Sequence, residues 1–206
     1  MGFYDKRILP WVITKTCASK PIRKQREKVV PLAQGRVLEI GAGGGLNLPY
    51  YSRTQVEMVL GLDVSPELLD AAEKKAQKAL VPFEGVLMDA ASIPLAENAV
   101  DTVLVTYSLC SIDDLSSALS EMHRVLKPSG KLIFCEHGSA PDQSVMRVQN
   151  ALTPLWKYFA GGCHLDRDLP EEIRKAGFDI EWMDQMYLPG TWRAVGWNSW
   201  GVAHCT

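Results

Sequence analysis

No Cys-x-x-Cys pair occurs in the chain, and its five cysteines, at positions 17, 110, 135, 163 and 205, are scattered and odd in number. That spacing supports neither a disulfide framework nor a structural zinc site, and it fits a reducing, cytoplasmic setting. No run of 18 apolar residues is present, and the N-terminus does not read as a signal peptide. Charge of one sign is not in excess either: 22 Lys and Arg stand against 24 Asp and Glu, for a formal net charge of -2. A nucleic-acid backbone is therefore not an expected partner. The Gly-Lys-Ser/Thr ending of a P-loop is missing, which argues against a nucleoside triphosphate. Repeats, linkers and low-complexity segments are also missing, so 206 residues read as one domain with a sizeable core.

What is present is organised around Val37-Leu38-Glu39-Ile40-Gly41-Ala42-Gly43-Gly44-Gly45-Leu46-Asn47. An apolar strand delivers its carboxyl end to a turn without side chains, so a ligand can lie against backbone N–H groups. Leu60-Gly61-Leu62-Asp63 is a second short strand ending in an acid, 18 residues after Gly45, and Leu87-Met88-Asp89 repeats the pattern. An acid about 20 residues past a Gly-rich turn suits a ribose hydroxyl pair. Nicotinamide and flavin cofactors share that logic, so the spacing alone does not name the ligand.

The chain then reads in order. Phe3, Ile8, Leu9 and Trp11 allow a packed helix, a flap over a pocket, or at most a weak, reversible contact with a membrane surface. Residues 21–32 are expected to be helical, with Arg23, Lys24, Arg26 and Lys28 on a solvated basic face. Strands are expected at 36–40, 56–62, 83–88, 101–106 and 131–136. A helix shortened by Pro49 is expected over 46–54, one capped by Ser65 with Pro66 in its first turn after strand two, and one over 113–126 closed by Lys127-Pro128-Ser129-Gly130. One or two helices over 139–160 and a short one from Leu169 towards Gly177 follow. Strands at 178–187 and 192–204, with Pro189-Gly190 between them, suggest a hairpin at the sheet edge. The fold class is α/β: a doubly wound, mostly parallel, seven-stranded sheet with the last strand antiparallel. Residues 1–32 form an N-terminal helical cap in this reading, and 139–170 a helical insertion on the substrate side.

Together the motifs resemble the class I S-adenosylmethionine-dependent methyltransferases, over about 37–136. Residues 37–45 match the glycine-rich first motif, Asp63 the acid that holds the ribose hydroxyls, and Asp89-Ala90 the position that meets the adenine. Arg124-Val125-Leu126-Lys127-Pro128-Ser129-Gly130 resembles the family's R-x-L-K-P-G-G, with Ser129 in place of the first glycine. The resemblance implies a Rossmann-like methyltransferase fold and the cofactor S-adenosyl-L-methionine, with S-adenosyl-L-homocysteine as product. It implies cofactor contacts from Glu39, Gly41, Gly43, Gly45, Asn47, Asp63, Val64, Asp89, Ala90 and Tyr107.

A more detailed resemblance, over nearly the whole chain, is to the methyltransferase-like-7 or thiol methyltransferase 1 proteins. Leu109-Cys110-Ser111, Glu136-His137, and Gly162-Cys163 with Leu165-Asp166-Arg167 carry it. It implies S-methylation of a small, largely apolar thiol. Those proteins have an N-terminal hydrophobic anchor that this sequence lacks, so cytoplasmic residence as a monomer or homodimer is expected. Amine or phospholipid-headgroup N-methylation and phenol or quinol O-methylation remain open alternatives, since small bacterial methyltransferases look similar through the core.

His137 is the leading candidate for a catalytic group, either as a base near neutral pH or as a hydrogen-bond partner that shapes the pocket. Tyr107 is the second, lining the sulfonium or the acceptor. Glu136 is expected to face away from His137, and Cys110 reads as a small buried hydrophobe. No metal is expected, because Cys163, His164 and Asp166 have no further ligands at metal-site spacing. Phe3, Tyr4, Trp11, Trp156 and Phe159 are candidate walls of an apolar acceptor pocket.

Overall fold

The computed structural model describes residues 15–206. The expected flap, with Phe3, Tyr4 and Trp11, lies outside the described residues, as does the first part of the expected cap. Seven strands form one sheet: β1 (Gly35–Ile40), β2 (Val56–Asp63), β3 (Phe83–Leu87), β4 (Val100–Thr106), β5 (Leu126–His137), β6 (Phe178–Tyr187) and β7 (Trp197–Cys205). Their order is β3-β2-β1-β4-β5-β7-β6. β7 alone runs against its neighbours, pairing antiparallel with both β5 and β6. Between β1 and β4 the strand order reverses direction, so the carboxyl ends of these two strands flank the crevice where such sheets bind ligands.

The apolar run of β4 explains its central place. Val103, Leu104 and Val105 are fully buried, and the strand is paired with β1 on one side and β5 on the other. Helices cover the sheet. α1 (Lys20–Val29) turns Val29 inward. α2 (Pro66–Ala76) is capped by Ser65, whose side chain accepts the Leu68 N–H, and it buries Leu69 and Ala72. α3 (Leu115–Val125) is capped by Asp114 and buries Leu115, Ala118, Leu119, Met122 and Val125. α4 (Gln143–Phe159), α5 (Leu169–Lys175) and the one-turn α6 (Arg193–Gly196) lie between β5 and β7 in sequence. Among the described residues, no helix is long and apolar enough to cross a membrane.

Three expectations are corrected. The helix over 46–54 is only a 3-10 turn at Leu48–Tyr50. Pro49 removes a donor from the first turn, and Tyr51 is already extended. The last strand begins at Trp197, because α6 occupies residues that were read as strand. β5 begins at Leu126, which already pairs with Val100 ahead of the Pro-Ser-Gly irregularity.

Gly201 of β7 stands between Phe134 of β5 and Met183 of β6. A Cβ there would stand 2.2 Å from the Trp182 carbonyl oxygen, 3.0 Å from Met183 Cα and 3.1 Å from the Phe134 ring. Two of those neighbours are backbone and cannot swing aside. Gly201→Ala is expected to lower stability by about 1–3 kcal/mol, as overpacking does, read as a fall in denaturation midpoint. An unchanged midpoint would show that the strands part freely at this point.

Candidate active site

The glycine turn leaves β1 with Gly41, Gly43 and Gly45 all at positive φ. At Gly41 a side chain is excluded twice, by φ +65° and by Ser108, whose Oγ lies 2.2 Å from where a Cβ would be. At Gly43 the nearest atom to such a Cβ is 3.9 Å away, so the missing side chain leaves a clear ledge above the turn. Asp63, at the end of β2, binds that ledge directly. One carboxylate oxygen accepts the Gly43 N–H at 2.8 Å and the other the Ser65 N–H at 2.9 Å. Burial pushes the Asp63 carboxyl up, against the lowering effect of the Ser65, Gly43 and Val64 N–H groups. Val64 is 68% exposed, and Leu87 and Met88 are exposed too, although all three are apolar. Met88 N–H donates to the Asp63 carbonyl, which brings the ends of β2 and β3 together. Asp89 is exposed and caps the following turn through the Ala91 N–H, while Ala90 is buried. A clear glycine ledge, an acid at its rim and an exposed apolar shelf fit the adenosyl group that the motifs imply.

Glu39 and Asn47 lie under this turn rather than on it. Asn47 Nδ2 donates to Glu39 and to Thr106, and its Oδ1 accepts from the Arg26 guanidinium at 2.7 Å. The other Glu39 oxygen accepts the Tyr51 hydroxyl at 2.6 Å. Both residues therefore hold the turn from below. The expected solvated basic face is corrected at Arg26, which is only 5% exposed and also donates to Thr106. Burial raises the Glu39 carboxyl to about 7, with Tyr51, Arg26 and Asn47 opposing that shift.

A second constellation lies at the ends of β4 and β5. Glu136 is buried, and one of its oxygens accepts the N–H groups of Ser108 and Leu109 at 2.6 and 3.1 Å. Its other oxygen has no partner among the described residues. Burial and the Cys110 charge lift its carboxyl to about 8. Arg167 donates to the carbonyls of Leu109 and Ile112, both at 2.7 Å, and the His164 N–H donates to the Cys110 carbonyl. The loop carrying Cys110 is thus held from three directions. His137 Nε2 lies 3.2 Å from Cys163 Sγ, and Trp156 Nε1–H donates to the same sulfur at 3.3 Å. Cys110 Sγ, Cys163 Sγ and a His137 ring nitrogen all lie within 4.8 Å of one another. The Cys163 hydrogen bond and, further, the His137 charge hold the Cys110 thiol well below the usual thiol range, against its burial. Cys163 is pushed up by its bond to Cys110 and by burial. Burial lowers His137, but the charge and hydrogen bond of Cys110 outweigh it and raise the imidazole. Cys110 is thus part of a polar cluster and not a plain hydrophobe. His164 and Asp166 pair with each other at 3.6 Å.

Tyr107 takes the left-handed φ of +57°, rare for a residue with a Cβ. That turn sends its ring into the core beside Arg26, with its hydroxyl bonded to Asn198 at 2.7 Å. Burial, reinforced by Cys135, pushes the hydroxyl well above its ordinary value. A cavity of about 340 Å³ lies beside His137, walled by Met146, Arg167, Leu169, Gln185 and Trp197. Of the expected aromatic walls, Trp156 serves Cys163 and Phe159 is 53% exposed. The structure thus gathers Gly41–Gly45, Asp63, Val64, Asp89 and Ala90 on one side of the edge, with His137 on the other. Sequence reasoning missed Arg26, Glu136 and Arg167. Helical spacing puts Arg26 on the same face as Val29 and Val30, and Glu136 and Arg167 stood out only as parts of the resemblance patches, with no role assigned.

A sequence profile described as a methyltransferase domain matches residues 38–134. The Thiol S-methyltransferase TMT1B of Rattus norvegicus is 33% identical over 171 residues, covering 81% of this chain and 69% of that protein. The protein of the same name from Homo sapiens is 30% identical over 203 residues, covering 93% of this chain and 82% of its own length. Among solved structures, a chain from the complex between the Haloferax volcanii Trm112 methyltransferase activator and a methyltransferase superposes with a TM-score of 0.74. That match has 18% identity and covers 99% of this chain and 97% of the other, which speaks for the fold.

Two outcomes are expected from this geometry. Asp63→Ala removes an acceptor of charge-assisted hydrogen bonds, each worth roughly 1.5–3 kcal/mol. Calorimetry with S-adenosylhomocysteine should show affinity lowered by one or more powers of ten; unchanged affinity would remove Asp63 from the site. For Glu39, the folded pKa of about 7 lies above the unfolded value near 4.3. Its contribution is full below the unfolded value and is lost as pH rises through the folded one. The stability of the wild type relative to Glu39→Gln should therefore fall between about pH 4.5 and 7, then level off. A flat difference would mean that Arg26 keeps Glu39 ionised throughout.

Proposed function

The chain belongs to the class I S-adenosylmethionine-dependent methyltransferases, and from that membership we propose that its acceptor is a small, largely apolar thiol, which it S-methylates. The observation that carries this reading is a convergence. Leu109-Cys110-Ser111, Glu136-His137 and Gly162-Cys163, far apart in sequence, meet around His137 Nε2, and Glu136 and His137 also line the cavity. Similarity to thiol S-methyltransferases over most of the chain supports it. In this reading residues 1–206 act as one catalytic domain, and 139–170 form its acceptor side, contributing Met146, Arg167 and Leu169 to the cavity wall. Cytoplasmic residence, to which the free state of all five cysteines is suited, completes the reading, together with the absence of a nucleic-acid partner and a monomeric or homodimeric state.

S-adenosylmethionine supplies a methyl group on a sulfonium, open to in-line attack. The chain's contribution is mainly placement. Gly41–Gly45 and Asp63 hold the adenosyl side. Ser108 abuts Gly41 and lies two residues from Cys110, which ties the acceptor side to the cofactor side. A free thiol has a pKa of about 8.5, so some thiolate exists near neutrality and no strong base is required. His137 is the catalytic residue facing the acceptor. Tyr107 acts by shaping the turn between the two sides, through its left-handed backbone and its anchor on Asn198.

The test supplies labelled cofactor with thiophenol, aniline and phenol, matched in size. Thiophenol should be methylated and the other two should be poor acceptors. His137→Ala should lower thiol turnover by about tenfold or more while leaving S-adenosylhomocysteine affinity nearly unchanged, the pattern of lost placement. Turnover of aniline or phenol with none of thiophenol would overturn the acceptor assignment.

A further inference from the structure

We infer that Cys110, His137 and Cys163 form a three-ligand site for a zinc-type divalent cation, and that the open fourth position takes the acceptor as its thiolate. The second half rests on the thiol reading above; the first does not. The expectation of no metal came from spacing along the chain, and the fold removes its basis. One ligand comes from the loop after β4, one from the end of β5 and one from the turn after α4, and all three ligand atoms lie within 4.8 Å of one another.

The chemistry and dimensions agree. Two sulfurs and one imidazole nitrogen suit zinc, whereas magnesium and calcium take oxygen. Tetrahedral zinc with bonds near 2.3 Å to sulfur and 2.0 Å to nitrogen sets sulfur and nitrogen about 3.5 Å apart and the two sulfurs about 3.8 Å apart. The 3.2 Å between Cys163 Sγ and His137 Nε2 needs to open by only a few tenths of an ångström. The ligands are also pre-placed. Backbone N–H groups on Glu136, carbonyls on Arg167 and the His164 N–H together fix the Cys110 loop. Trp156 Nε1–H donates to Cys163 Sγ at 3.3 Å, and Ser111 Oγ lies 3.5 Å from Cys110 Sγ, where its hydroxyl can donate to a thiolate, the outer support that thiolate ligands use. His137 Nδ1 is buried with no hydrogen-bond partner among the described residues.

Three protein ligands and one open position make a catalytic arrangement, not a closed structural one. A thiol that takes the fourth position loses its proton to solvent and binds as thiolate. The acceptor sulfur's lone pair then forms the new bond to the methyl carbon. The bond from that carbon to the sulfonium breaks, and its electron pair stays on the departing thioether sulfur. The products are a methyl thioether, S-adenosylhomocysteine and one proton, and no oxidant or reductant is needed.

The test uses the full chain, kept reduced and stripped with a chelator, then titrated with Co²⁺ and with Zn²⁺. Wild type should bind one equivalent of Co²⁺, with sulfur-to-cobalt charge-transfer absorption that Zn²⁺ abolishes. Cys110→Ser and Cys163→Ser should each weaken binding by about 100-fold or more. S-adenosylhomocysteine binding should persist in both and report that they are folded. Thiophenol should shift the visible bands of the cobalt form, and phenol should not. Absence of charge-transfer absorption in wild type, or equal affinity in the serine variants, overturns the site. Thiophenol methylation by the stripped chain at the rate of the zinc-loaded chain overturns the metal's role and leaves the thiol reading standing. A loaded site whose bands ignore thiophenol, in a chain that methylates only aniline or phenol, overturns the fourth-position assignment together with the thiol reading.

Discussion

One side-chain amide underlies the cofactor side. Burying a guanidinium and a carboxyl beneath a turn is costly unless each finds partners. Asn47 is the part that makes both tenable. It accepts from Arg26, donates to Glu39 and donates again to Thr106, with Tyr51 closing the circuit on the far oxygen of Glu39. Four elements are joined there: α1, β1, the glycine turn and β4. The turn is short of side chains and has little packing of its own, so its shape depends on this network below it. Networks of this kind rigidify as their members are satisfied, and here Arg26 Nε is the one buried side-chain polar atom left without a partner among the described residues. That accounts for a glycine-rich segment serving as a fixed ledge.

The acceptor side is built on the same economy, with Glu136 in the central position. Its carboxylate gathers the N–H groups of the loop after β4, and Asn198 from β7 donates to its backbone carbonyl. Tyr107 bridges the two halves, with Arg26 near its ring and Asn198 on its hydroxyl. Ser108 then meets Gly41 directly. The separation between the cofactor ledge and the cysteine–histidine cluster is therefore set by short, buried polar links, which yield less than packed side chains.

Much of this was legible in the sequence. Apolar runs and acids at strand ends located β1 to β4; the central parallel strands β1 and β4 leave little choice of residue. Ser65-Pro66 announced its helix through capping chemistry. What stayed hidden was of one kind: polar residues whose partners are distant in sequence. Arg26 read as solvated among other bases, and Glu136 seemed to point away from the chemistry. Cys110, His137 and Cys163 lie too far apart along the chain for spacing rules to join them. The helix expected after the glycine turn failed for a related reason, since Asn47 is committed downward and Pro49 leaves no donor to start a full turn.

The placement of β7 between β5 and β6 has a consequence for how the molecule is made. β6 reaches the sheet only through β7, yet β6 is synthesised first. While a ribosome is still working on the last segment, β6 has no partner edge, and Asn198 is not there to brace Tyr107 and Glu136. The nascent chain can raise its nucleotide-binding half early, from contacts among β1 to β4. Its chemical half must wait, with a free strand edge of the kind that invites misassociation. Demand on chaperones should therefore concentrate in that late interval.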